Sequence, residues 1–129
     1  MNFSDKLAKQ IKLKNNPSVL GLDPKLEYIP ASIKEKYFVK NVNYQKAAAE
    51  CIIEFNKRLI DALYDVIPAV KPQLAYYEMY GIEGIRAFNE TIGYAKEKGL
   101  LVIADGKRND IGTTAQAYAA AYLGKTPIN

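Results

Sequence analysis

Histidine is absent from this chain, and cysteine occurs once, at Cys51. Without histidine there is no Ser-His-Asp triad and no Cys/His metal cluster. A lone cysteine excludes an intrachain disulfide. Cys51 falls on the apolar side of an expected helix, so its expected role is buried packing rather than reactivity. No stretch approaches 18 continuous apolar residues, and the N-terminus carries no apolar signal-peptide core. No membrane partner is expected, and a cytoplasmic location is the default expectation. The pattern GxGxxG is also missing. Leu123-Gly124-Lys125-Thr126 hints at a phosphate loop, but the first glycine of that motif would fall at Ala119, inside a helix, so the hint is rejected.

What is present suits one small soluble domain spanning residues 1–129, 49% hydrophobic and 25% charged. The net charge of +4 is compatible with an anionic, phosphate-bearing ligand without requiring one. The lysines are scattered, as at Lys6, Lys9, Lys12 and Lys14, and read as solvated helix faces; no nucleic-acid partner is expected from them.

Taken in order, Ser4 is a fair N-cap for a short helix through Leu7, Ala8 and Ile11. Val19–Leu22 reads as a strand that Asp23-Pro24 closes, since proline lacks the N–H and forbids helix at the residue before it. A short helix is expected around Ser32–Tyr37. Asn43 can cap a long helix through Asp65, with Ala47, Cys51, Phe55, Leu59 and Leu63 on one stripe and Ile52 and Ala62 widening it. Ala69–Gln73 reads as a second strand, and Leu74–Tyr80 as a loop or short helix. Tyr76, Tyr77 and Tyr80 are expected in the core or at an interface. Ile82, Ile85, Phe88, Ile92 and Ala95 mark a further helix stopped by Gly99. Leu100–Ala104 is a third strand and Ala115–Tyr122 a last helix, stopped by Gly124. Strands alternating with helices predict a parallel α/β sheet. Three strands leave two edges open and one face uncovered, so such a piece is expected to self-associate, recruit further strands or swap elements, with an oligomer of abnormal interface the expected outcome.

The densest chemistry lies at LLVIADGKRNDIGTT, residues 100–114. An apolar strand runs into Asp105, Lys107, Arg108 and Asp110, and a helix follows. In such β/α units ligand chemistry sits at the carboxyl end of the strand. Asp105 and Lys107 are two apart, so both side chains point the same way if the strand runs on through Lys107. Asp105 and Asp110 would keep that lysine charged, which argues against a Schiff-base role for Lys107. Asp-Gly is also a hairpin signal, but the alanine-rich helix behind it leaves no second strand.

DGKRNDIGTT resembles the D-x-K-x-x-D-I signature of the orotidine 5′-phosphate decarboxylase family, in the form found in its longer bacterial members. VLGLDP (Val19–Pro24) and VKPQLAYYE (Val70–Glu78) agree with it in order and separation. The resemblance implies a (β/α)8 TIM barrel. Such a barrel takes about 250 residues. The 129 residues would then be its N-terminal part, with a fourth β/α unit beginning at Asn129, and would have little or no activity alone. It implies conversion of orotidine 5′-monophosphate to uridine 5′-monophosphate and CO2 in pyrimidine biosynthesis, with neither metal nor organic cofactor. It casts Lys107 as proton donor and Asp105 as the carboxylate beside the departing one. Lys71 and Asp110 complete an alternating charge array, Asp110 reaching in from the second subunit of a homodimer. Asp23 and Lys71 would meet the ribose hydroxyls, and Ile111 and Thr114 would cross the dimer interface. Two other readings stay open: a metal-dependent sugar-phosphate lyase on the same barrel, and a non-catalytic basic binding module.

Overall fold

A computed structural model describes residues 1–40 and 43–124. Lys125 and Thr126 of the phosphate-loop-like stretch, and Asn129, where a fourth unit was expected, lie outside the described residues. The chain runs α1 (Phe3–Lys14), β1 (Val19–Leu22), α2 (Ala31–Phe38), α3 (Tyr44–Leu63), β2 (Ala69–Pro72), α4 (Ala75–Glu78), α5 (Gly81–Glu97), β3 (Leu101–Val102) and α6 (Gly112–Leu123), with a 3₁₀ turn at Leu26–Tyr28.

The sheet is parallel, in the order β1-β2-β3. Val19 pairs with Ala69 and Gly21 with Lys71 on one side of β2, and Val70 pairs with Val102 on the other. β2 is the centre of the sheet and the most buried strand, as expected for a parallel strand covered by neighbours. β3 is shorter than the sequence suggests. Its backbone ladder nevertheless continues, through Ile103 N to the Val70 carbonyl (2.9 Å) and Asp105 N to the Pro72 carbonyl (3.0 Å), and ends in a bridge between Gln73 and Asp105. Pro72 cannot donate, but it still accepts, so β2 can end on a proline without losing β3.

Two apolar clusters hold the helices on the sheet. Leu22, Ile60, Ile67, Val70, Ala95 and Leu100 join the sheet to the C-terminal halves of α3 and α5. A second, centred on Ile52, Ile53, Tyr77, Ala87 and Phe88, joins α3, α4 and α5 and takes in Ile29 and Ile33. Cys51 belongs to this second cluster, and burial pushes its thiol up to about 11, as its packing role predicts. A Cβ at Gly84 would run into the Tyr77 carbonyl, so the close approach of α5 to α4 requires glycine there.

Local details depart from the sequence pattern in instructive ways. Asn2, not Ser4, caps α1: its side chain accepts from Asp5 N at 2.8 Å, and both residue types are good caps, so pattern alone cannot choose. Asn43 does cap α3, accepting from Lys46 N at 3.1 Å. The buried stripe of α3 agrees with the expected one at Ala47, Cys51 and Ile52 and is rotated from it further along. Ala48, Ile52, Asn56 and Ile60 are buried, while Phe55, Leu59 and Leu63 are half-buried and Ala62 is exposed. On α5 the expected marker Ile82 is 90% exposed and Thr91 is buried instead. Tyr77 and Tyr80 are buried and Tyr76 half-buried. Gly99, at φ +80°, ends α5.

Candidate functional site

The carboxyl ends of β2 and β3 bring Lys71 and Asp105 to one side of the sheet. Strand geometry does the first part. Alternate residues share a face. The register therefore puts Lys71 on β2 and Asp105, at the end of the β3 ladder, on the same face, opposite the one that Leu22 and Val70 bury against α3 and α5. Lys71 Nζ donates to Asp105 Oδ2 at 3.0 Å. Both side chains keep about a third of their surface open to solvent. The Lys71 hydrogen bond holds the Asp105 carboxyl below the usual carboxylate range. Partial burial opposes this, and the charges of Lys71 and Lys107 and the Gln73 side chain add to it.

The condition under which Lys107 would share a strand face with Asp105 is not met. The ladder stops at Asp105, Gly106 starts a turn, and Lys107 lies outside any strand. Its Nζ stands 3.9 Å from Asp105 Oδ1, and its side chain is 84% exposed. Asp105 thus has one lysine on each carboxylate oxygen, one in hydrogen-bond contact and one at the limit of an ion pair.

The other expected residues stay apart from this cluster within one chain. Asp110 accepts from the Ile111 N–H at 2.8 Å and forms no ion pair among the described residues. Ile111 is 86% exposed, and Thr114 is exposed on the first turn of α6. Asp23 is exposed just past β1, with no side-chain hydrogen bond among the described residues. Among the described residues no group of three or more His, Cys, Asp or Glu side chains could hold a metal ion. No described helix is long and apolar enough to cross a membrane.

Three features escape a reading by motif. Gln73 bridges to Asp105 across the sheet and faces the same way as Lys71, two positions on; strand period alone would have found it. Arg108 forms an ion pair with Glu78 of α4, a contact no local pattern announces. Beneath the site, buried Asn56 donates to the Tyr77 hydroxyl (2.9 Å) and to Thr91 Oγ1 (3.1 Å), and the Tyr77 hydroxyl donates to the Leu22 carbonyl at 3.4 Å. That chain of bonds ends one residue before Asp23.

The sequence profile of the Orotidine 5'-phosphate decarboxylase / HUMPS family matches residues 19–127. Among individual relatives, the chain is 38% identical to the orotidine 5′-phosphate decarboxylase of Caldicellulosiruptor saccharolyticus over 99% of its own length and 42% of that protein. With the enzyme of that name from Clostridium tetani the identity is 44%, over 92% of this chain and 38% of the other. Two crystal structures share its fold. One, from Streptomyces avermitilis and provisionally named an orotidine 5′-phosphate decarboxylase, superposes with a TM-score of 0.72 at 29% identity, covering 94% of this chain and 38% of that one. The other, from Toxoplasma gondii and provisionally named an orotidine-monophosphate decarboxylase, gives 0.74 at 27% identity, covering 95% and 37%. The chain therefore spans about two fifths of the length of the relatives it matches.

Proposed function

The chain belongs to the Orotidine 5'-phosphate decarboxylase / HUMPS family, and from that premise we propose that it carries the charged half of a site that decarboxylates orotidine 5′-monophosphate. The observation that supports this most directly is the Lys71–Asp105–Lys107 array at the strand ends. In the reaction the bond from C6 of the pyrimidine to its carboxylate breaks, CO2 leaves, and the electron pair stays on C6. Asp105, kept ionised by Lys71, would sit beside the substrate carboxylate and disfavour it in the bound state. Lys107 would stabilise the pair on C6 and then give it a proton. Its exposed side chain suits that role, because a lysine free to swing can meet a substrate.

The size of the effect explains why these residues need the rest of a barrel. An ammonium about 3 Å from a unit charge, at an effective dielectric of about 20, supplies roughly 5–6 kcal/mol. The most demanding enzymatic accelerations need upwards of about 20 kcal/mol. Remote binding energy, chiefly from a phosphate held after strands 7 and 8 of such barrels, is the natural source of the remainder. The described residues contain three strands. The 129-residue chain, read as the N-terminal part of one incomplete barrel domain, is accordingly proposed to have little or no activity by itself. Asp110, Ile111 and Thr114, exposed and unpaired with the Lys71–Asp105 cluster in one chain, are assigned to a homodimer interface at which they serve the partner's site. Asp23 and Lys71 are assigned to the ribose hydroxyls, and the reaction to a cytoplasmic, cofactor-independent enzyme.

The test is formation of uridine 5′-monophosphate by the chain alone and by the chain joined to the remaining three fifths of its Clostridium tetani relative. The joined protein should turn over, the chain alone should not, and Lys107→Ala should abolish turnover by the joined protein. A folded joined protein that is inactive, or one that works normally with Lys107→Ala, overturns the assignment. Turnover by the chain alone comparable to that of the joined protein overturns the proposed inactivity.

A further inference from the structure

Lys107 has one polar side-chain contact among the described residues, the long one to Asp105, yet the residue beside it is firmly held. Arg108 is only 27% exposed. Its guanidinium pairs with Glu78 on α4 and also donates to the Lys107 carbonyl at 3.2 Å. Its backbone N–H donates to the Gly106 carbonyl at 2.9 Å. The start of the same turn is pressed onto α4 as well. The Asp105 carbonyl accepts from Leu74 N at 2.9 Å, and a Cβ on Gly106 would come within 3.1 Å of Leu74 Cδ2. The chain is therefore held against α4 on both sides of Lys107, at Asp105 by the N-cap Leu74 and at Arg108 by Glu78, and α4 itself follows directly from the strand that carries Lys71.

We infer that Arg108 is a positioning residue: paired with Glu78, it clamps the β3–α6 turn to α4 so that Lys107 stands beside Asp105 and Lys71. An exposed lysine on a flexible four-carbon stem has no fixed direction of its own. What the fold can control is where the stem begins, and the clamp sets that point. A guanidinium suits the task because its planar fork can bond a carboxylate and a backbone carbonyl together, which a single ammonium cannot do with the same geometry. The inference rests on the proposed role of Lys107 but concerns a different pair of residues.

The Asp105 carboxyl reports on the clamp directly. The groups facing it are Lys71 Nζ at 3.0 Å, Lys107 Nζ at 3.9 Å and the Gln73 side chain. Its titration can be followed by carbon-13 NMR on the labelled 129-residue chain, so no catalytic activity is needed. Lys107→Ala should raise the Asp105 midpoint by removing a neighbouring cation. Glu78→Gln should raise it too, through loss of the clamp, and combining it with Lys107→Ala should add nothing further. The sign is diagnostic. Removing the negative charge of Glu78 would by direct electrostatics lower the Asp105 midpoint, so only displacement of Lys107 turns the shift upward. Arg108→Gln provides an independent variant in case Glu78→Gln does not fold, judged by unchanged spectra of α3, and should give the same non-additivity with Lys107→Ala.

A midpoint that stays put or falls in a folded Glu78→Gln, while Lys107→Ala raises it, overturns the clamp alone. So do shifts that add to that of Lys107→Ala, or a lowered melting temperature with Asp105 unmoved, which is what a purely structural ion pair would give. If Lys107→Ala itself leaves Asp105 unmoved, Lys107 does not stand beside it, and the site reading falls together with the clamp.

Discussion

Helices α5 and α6 flank β3 and are built on different principles. α5 buries Gly84, Ala87, Phe88, Thr91 and Ala95 along one side. Its Arg86 donates to Glu83 (2.9 Å), Glu90 (2.6 Å) and, across to α3, Glu50 (2.8 Å). α6, GTTAQAYAAAYL, contains no charged residue and buries none of its twelve positions. Alanine has the highest helix propensity, so α6 can be helical without a partner, but an isolated helix of this length is marginal in water. The contrast separates two things that a sequence pattern tends to merge. Propensity decides whether a segment coils; burial depends on what other elements bring to it.

The comparison can be tested by damaging each side. The largest effect is expected from Gly84→Ala, where the new methyl collides with the Tyr77 backbone rather than with a movable side chain. We expect a loss of about 3 kcal/mol or more in urea unfolding; an unchanged midpoint would mean that α4 and α5 are not packed as described.

Tyr77→Phe comes next. It removes the acceptor for Asn56 Nδ2 and the donor to the Leu22 carbonyl inside the core, and Asn56 Oδ1 already lacks a partner among the described residues. The expected cost is about 1–3 kcal/mol, read from the same unfolding curves.

A smaller, pH-dependent effect is expected from Glu54, which ties α3 to α2 through Lys36 (2.7 Å) and Tyr37 (2.7 Å). Those hydrogen bonds, from Lys36 first, lower its carboxyl to about 2 against an ordinary value of 4.5. Because the folded value is the lower one, ionised Glu54 stabilises the fold above about pH 4.5, and the contribution fades as pH falls toward 2. Urea midpoints of the native chain should therefore exceed those of Glu54→Gln at pH 7 and converge with them by about pH 2; a constant gap would contradict the assignment.

The smallest effect belongs to α6. Tyr118→Ala should change stability by less than about 0.5 kcal/mol, and α6 amides should exchange with solvent faster than those of α3 and α5. Strong protection of α6 amides in the monomeric chain would show that the helix has a partner after all.

Much of the architecture was legible because it depends on local signals. Val19–Leu22 stopped by Asp23-Pro24, Asn43 heading a long amphipathic run, and Gly99 ending α5 each follow from the chemistry of one or two residues and agree with the observed elements. The three parallel strands follow from their alternation with helices. The errors occur where two local signals were equally good or where orientation mattered. Asn2 and Ser4 compete for one cap. On α3 the expected stripe holds at Ala47, Cys51 and Ile52 and departs at Phe55, Leu59, Leu63 and Ala62, because α5 and α2 meet the side bearing Ala48, Ile52 and Asn56. Ile82 looks like a core residue by type and period, yet it is 90% exposed on the first turn of α5.

At the site, strand period puts Lys71 and Asp105 at strand ends, and the observed register of β2 on β3 makes them meet. The place of Lys107 could not be obtained that way, since it turns on where the β3 ladder ends and on a contact between Arg108 and Glu78, thirty positions apart. By itself the sequence determined the succession of elements, their caps and stops, and which acidic and basic residues stand at strand ends, because propensity, capping and side-chain alternation act within a few residues. The tertiary structure alone decided which helix faces are buried, which carbonyl Tyr77 reaches and how the Lys107 turn is held, because those depend on surfaces brought together from distant parts of the chain.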